Sequence, residues 1–298
     1  MRLTAIAFVL AFIGSATAKQ AKPQDRPAPD VKDEKYGPHE RNVIDLWMAK
    51  SDAPTPLVIF IHGGGFRAGS KEQVSPALIQ GCLDSGISVA AINYRFSQHA
   101  IFPAPFHDCA RAVQHLRSKA KEFNLNPAKF AATGGSAGAG MSLWLAFHND
   151  LADPKSDDPV LRQSTRLSCA IGIGCQVSYD PRWIKEHIGG KAHEHPALGQ
   201  LFGVQGDTLT AEKAFPLYEE SSAITHLTKD DVPAMVLYGK DEPSDKPGAG
   251  IHNEKFGVAL KEAMEKLGLP CEFKTGRDAQ SMKAQIDFLV KYLKDPAK

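Results

Sequence analysis

The stretch AATGGSAGAGMSL, residues 131–143, sets one serine, Ser136, among glycines and alanines. Gly134-x-Ser136-x-Gly138 fits the pattern in which a serine on a sharp strand-to-helix turn presents its hydroxyl for nucleophilic attack. The glycines permit a tight turn and let a substrate carbonyl approach the backbone, while the N-terminus of the following helix favours negative charge. A Gly-rich turn of a nucleotide-binding fold has the same local look, so these five residues do not decide alone. HGGGF, His62 to Phe66, adds the second part, because it directly follows the apolar run LVIFI. Amide groups of such a loop can point at an oxyanion forming on a substrate held at Ser136. No Gly-Lys-Ser/Thr follows the three glycines, so a phosphate-binding P-loop is unsupported.

Both motifs depend on the elements around them. PLVIFIHGGG (57–65), GISVAAINYR (86–95), KFAATGG (129–135), LSCAIGIGC (167–175) and PAMVLYG (233–239) read as strands buried on both faces, with CEFKT (271–275) as a sixth. Between them, Ala110, Val113, Leu116, Ala120 and Phe123 recur at helical steps, as do Phe256, Leu260, Met264 and Leu267. Ile286, Leu289 and Leu293 repeat that signal in the last stretch. Strands alternating with helices imply a mainly parallel sheet flanked by helices, with ligands bound beyond the carboxyl ends of the strands. Residues 176–228 break the alternation with an aromatic, His-rich stretch, and they read as an inserted helical cap.

The chain resembles the α/β-hydrolase superfamily, in particular the hormone-sensitive-lipase-like carboxylesterases and the bacterial feruloyl or acetyl-xylan esterase-like (BD-FAE-like) group. HGGGF, NYRFS, a P…HD stretch, GGSAGAG and a late strand followed by Asp carry the likeness, which runs from about Asn42 to the end. It implies an α/β-hydrolase fold, Ser136 as nucleophile, and the N–H groups of Gly64, Gly65 and Ala137 as an oxyanion hole. It also implies an acid after the strand AMVLYG, where Asp241 fits best and Glu242 and Asp245 are spares on the same loop. The chain departs from the family at the base. The segment between the last strand and the last helix, TGRDAQSM, holds no histidine, and Asp278, Gln280 or Ser281 cannot replace an imidazole that accepts and donates a proton near neutral pH. One histidine remains downstream of Asp241, His252 in GAGIHNEKFG, on the same sheet edge and in an order that keeps Ser136, Asp241, His252. It serves either as the displaced base or as a polar residue at a helix start.

The wider sequence bounds this reading. Lys and Arg total 35 against 34 Asp and Glu, a net charge of +1, which gives no electrostatic reason for a nucleic-acid or anionic-membrane partner. Arg2, the apolar run Leu3–Gly14 and Ala16-Thr17-Ala18 read as a secretory signal peptide cut after Ala18. The expectation is an exported protein, periplasmic or secreted, with no integral membrane segment after cleavage. Residues 19–40, rich in Lys, Pro and Asp, are expected as a flexible leader, and 41–298 as one hydrolase domain. Five cysteines leave at least one thiol free, and their spacing suggests no zinc site. His193 and His195 have no third ligand at useful spacing and read as a solvated loop of the cap. Asp108 reads as a helix N-terminal acid or an internal ion-pair partner. No cofactor is implied. The expected function is hydrolysis of carboxylic esters through an acyl-enzyme, on a small-molecule or carbohydrate ester such as acylated polysaccharide. The alternative is a degenerate hydrolase that binds or scaffolds, motivated by the missing histidine.

Overall fold

The computed structural model describes residues 26–204, 212–239 and 246–294. An eight-stranded sheet runs in the order β1-β2-β4-β3-β5-β6-β7-β8. Its parallel part is β3 (Thr55–Ile61), β4 (Ser88–Ile92), β5 (Leu125–Gly135), β6 (Cys169–Ile173), β7 (Ala234–Tyr238) and β8 (Cys271–Thr275). All residues of β4 and β7 are buried, as expected for strands covered on both faces. The edge strand β8 is only half-buried. Two further strands are antiparallel, β1 (Val31–Lys35) at the edge pairing with β2 (Val43–Trp47), and β2 pairing with β4.

The sheet separates two apolar layers. Leu78, Ile79 and Cys82 of α1 (Pro76–Asp84) and Phe288, Leu289 and Leu293 of α9 (Met282–Leu293) cover one face. The other face carries α2 (Ala104–Ser118), α3 (Ala137–Phe147) and α8 (Lys255–Lys266). The expected cap consists of α4 (Pro181–His187), α5 (Pro196–Phe202), α6 (Phe215–Ser221) and α7 (Ala223–His226). Ile184, Leu198, Leu201, Phe202 and Tyr218 bury the cap into the second layer, so core and cap share one hydrophobic cluster.

The leader expected over residues 19–40 is corrected by the structure in its second half. Trp47 Nε1 donates to Pro27 O at 2.9 Å and Met48 N to Asp30 Oδ2 at 2.7 Å, so the chain already lies against β2 there. Val31–Lys35 then form β1. Composition hides this strand because its stability comes from ladder hydrogen bonds and ion pairs. Glu34 lies 2.9 Å from His115 Nε2 and 2.8 Å from Lys119 Nζ, and Asp33 lies 2.9 Å from the buried Lys71 ammonium. The expected signal peptide falls on residues outside those described. Among the described residues no helix is long and apolar enough to cross a membrane.

Candidate active site

Parallel pairing brings the carboxyl ends of β3, β5, β6 and β7 to one edge. Ile61 of β3 pairs with Gly134 of β5, and Gly135 pairs with Ile173 of β6, so the HGGG loop and Ser136 leave the sheet side by side. Ser136 stands between β5 and α3 with φ 51° and ψ −122°, a backbone conformation that costs a non-glycine residue about 1–3 kcal/mol. The structure offsets this locally. Ser136 N donates to Ile173 O at 2.8 Å, and Gly140 N donates to Ser136 O at 3.0 Å. The flanking glycines are required for another reason, the closeness of α3 to β3. A Cβ on Gly138 would sit 2.0 Å from Ile61 O, and one on Gly134 2.3 Å from the same oxygen.

Ser136 Oγ lies 2.8 Å from His252 Nε2, across 116 positions of sequence. His252 is exposed at the rim of the site and Ser136 is half-buried. The loop carrying His252 turns between β7 and α8 through Gly248 and Gly250, at φ 81° and 88°. Gly248 N donates to Lys191 O at 2.8 Å, which fastens the loop to the cap. The side chain of the buried Gln176 donates to Ile251 O at 2.7 Å and to Gly174 O at 3.1 Å, which ties the same loop to the end of β6. The loop after β7 therefore places His252 on the sheet edge that carries Ser136. In the position the family ordinarily uses, Ser281 Oγ instead accepts from Ala284 N at 3.2 Å and caps α9.

Gly64, Gly65 and Ala137 line one cavity with Ser136 and His252. The N–H of Ala137 opens α3, where the first amides have no partner inside the helix. Gly64 and Gly65 hold φ 105° and 58°, and Arg67 and Ala68 both donate to Gly64 O, at 3.0 and 3.1 Å, which curls the loop. His62 anchors it from below. Burial lowers the imidazole pKa to about 4, so the ring is neutral, with Nδ1 donating to Gly63 O at 2.7 Å and Nε2 accepting from Arg41 Nη2 at 3.2 Å. The ring stacks on Tyr94, centroids 4.3 Å apart. Asp241, with its neighbours Glu242 and Asp245, lies outside the described residues.

The cavity in front of Ser136 measures ≈ 530 Å³ and is walled by Phe66, Tyr179 and Leu198 with polar groups from Arg67, Gln176 and His195. A second cavity of ≈ 540 Å³ lies on the other flank of the Ser136–His252 pair, against Phe60, Leu78, Ile173 and Met282. His195, read from sequence as part of a solvated loop, instead faces the first cavity. Its Nδ1 accepts from Ala197 N at 3.2 Å, which leaves the proton on Nε2, and burial followed by the neighbouring His252 lowers its pKa. His-Pro before an amphipathic turn is a helix-start signal, and it could have marked His195 as fixed. Asp108 is an internal ion-pair partner, with its carboxylate 2.6 Å from Arg95 Nη2.

Residues 44–246 match the BD-FAE family model. The chain is 30% identical over 245 residues to "Esterase LipQ" of Mycobacterium tuberculosis, covering 81% of this chain and 55% of that protein. It is 26% identical over 211 residues to "Probable carboxylic ester hydrolase LipM" of the same organism, covering 70% and 47%. It thus spans about half the length of these two curated relatives. Among solved structures it superposes on an acetyl ester-xyloside bifunctional hydrolase from Caldicellulosiruptor lactoaceticus with a TM-score of 0.66, 22% identity, and coverage of 83% of this chain and 86% of that one. An eight-stranded, mostly parallel sheet with helices on both faces and a sharp strand-to-helix turn after β5 is the α/β-hydrolase fold, and the chain belongs to the BD-FAE family.

Proposed function

We infer that this protein is a serine carboxylesterase in which His252 is the base. The 2.8 Å contact between Ser136 Oγ and His252 Nε2 carries the reading, because it is the hydrogen bond along which the serine proton must leave. His252 Nε2 takes that proton as Oγ attacks the acyl carbon of an ester, and the carbonyl oxygen becomes an oxyanion facing the amides of Gly64, Gly65 and Ala137. Collapse breaks the bond to the alcohol oxygen, which takes the proton from His252. Water, deprotonated by the same ring, then cleaves the acyl-serine and restores Ser136. Asp241 is assigned to orient His252, on the order of the residues along the chain.

Two cavities flanking the Ser136–His252 pair suit an ester with a group on either side of the scissile bond. Arg67, Gln176 and His195 give the first cavity hydrogen-bonding groups that fit an acylated carbohydrate, and a structurally similar protein carries acetyl ester-xyloside in its name. Export through the segment ending at Ala18 would deliver the enzyme to extracytoplasmic polysaccharide.

Hydrolysis of a short-chain aryl ester by wild type, Ser136→Ala and His252→Ala tests the assignment. Both variants are expected to lose on the order of 10⁴–10⁶ in kcat, the loss seen when members of such a unit are removed singly. Wild-type rates in His252→Ala would remove the ring from the mechanism. Inactivity of all three proteins on aryl esters and acylated xylan would instead favour a binding role.

A further inference from the structure

We propose that His148, Glu220 and His226 form a site for one Zn²⁺-class ion that fastens the helical cap to the helix carrying Ser136. His148 follows the last residue of α3, Glu220 lies in α6, and His226 ends α7. One nitrogen from each ring and one carboxylate oxygen lie within 4.8 Å of one another. A zinc ion with ligands at about 2.0–2.2 Å holds tetrahedral donors about 3.3–3.6 Å apart, so the 2.8 Å contact of His148 Nε2 with Glu220 Oε1 opens slightly while any wider separation, up to 4.8 Å, closes. The Glu220 carboxylate is exposed and exchanges its contact with His148 for the ion.

Three observations point to a cation there. His148 Nδ1 is 2.8 Å from Asn149 O, and His226 Nε2 is 2.8 Å from Glu220 O. Each ring donates one nitrogen to a backbone carbonyl, which orients it and leaves the other nitrogen to face the cluster, the arrangement found around metal-bound imidazoles. His148 Nε2 nevertheless lies 2.8 Å from Glu220 Oε1, so a lone pair faces a carboxylate unless a proton or a metal ion stands between them. Trp144 braces the set from beneath. Its ring lies 4.2 Å from that of His148, and its Nε1 donates to Glu220 O at 2.8 Å.

Two imidazoles and one carboxylate select zinc, nickel or copper over magnesium or calcium, which prefer oxygen ligands. The fourth position would be left to water. This ion would not take part in ester cleavage, because the 11-residue α3 separates it from Ser136 by about 16 Å. Its effect is to hold α6 and α7 against the core. The spacing of the residues conceals the site, since its ligands come from three separate elements.

Calorimetric titration of Zn²⁺ into untagged, chelator-stripped protein tests the proposal, with Trp fluorescence and thermal melts alongside. The expected result is one ion per chain, a raised Tm, quenching of Trp emission by Co²⁺ or Ni²⁺, and no response to Mg²⁺. His148→Gln, Glu220→Gln and His226→Gln should each weaken binding at least tenfold while keeping ester hydrolysis, or substrate binding, at wild-type levels. His193→Gln, on another part of the cap, should bind as wild type. Absence of binding at millimolar Zn²⁺, which would leave a protonated His148 paired with the Glu220 carboxylate, overturns the site. So does unchanged binding in the His148 and His226 variants. Should either histidine variant fail to fold, the exposed Glu220→Gln and the Co²⁺ spectrum of the wild type still decide the matter.

Discussion

His62 shows how far a single residue in this fold is committed before any substrate arrives. It is fully buried, donates to Gly63 O and stacks on Tyr94, and its acceptance of a hydrogen bond from Arg41 requires the neutral ring. Its pKa falls from 6.5 to about 4, with burial as the main cause and the Arg41 charge acting in the same direction. The unfolded chain therefore binds a proton that the folded chain refuses between those values. The stabilisation is complete above pH 6.5 and is lost progressively down to about pH 4, a swing of about 3 kcal/mol for this residue. Urea unfolding across that range should give a steep pH slope in wild type and a shallower one in His62→Gln. Parallel curves would mean that the ring is not buried neutral. The HGGG motif was legible in the sequence as a loop that leaves a buried strand beside Ser136. The role of its histidine as a buttress was not, because Arg41 and Tyr94 reach it from elements 21 and 32 positions away.

At the scale of elements, the decisive piece is the turn between β7 and α8. Its glycines let the chain bend back, and Gln176 at the end of β6 holds Ile251 O, one residue before His252. Gln176→Glu keeps the shape but loses both donors, so the loop should loosen. Its kcat on a small aryl ester is expected to fall tenfold or more with little change in KM, and stability to fall by about 1–3 kcal/mol for the unpaired carbonyls. A rise in KM at constant kcat would show that Gln176 acts on substrate and not through the loop. The parallel strands were readable from apolar runs and the helices from their spacing. β1 was not, since its charged residues resemble a linker, and its hold comes from partners such as Lys71, which places its ammonium 2.9 Å from Asp33 and 2.7 Å from Asp45.

Over the whole molecule, stability comes from two apolar layers and a cap continuous with one of them, without covalent cross-links. All five cysteines are unpaired, and burial pushes the thiols of Cys82, Cys169, Cys175 and Cys271 up to about 12. Thermal melts with and without dithiothreitol should therefore superpose, and alkylation of the native protein should be slow. A Tm lowered by reductant would reveal a bridge that the fold does not contain. Cap and core melt together in this picture, because Leu201, Phe202 and Tyr218 share a cluster with Phe106 and Trp144.

The sequence by itself determined the sheet-forming runs, the helix pattern, the serine on its turn and the glycine loop that faces it. These are local, with each signal contained in about ten consecutive residues whose periodicity or steric demands are read directly. It also showed that the usual base position is empty of histidine and left His252 with two possible roles. Only the tertiary structure decided that the ring comes within hydrogen-bonding distance of Ser136. That distance depends on the pairing of β5 with β6, the bend through Gly248 and Gly250, and the grip of Gln176. Contacts of this kind join residues more than a hundred positions apart, and spacing along a chain carries no record of them.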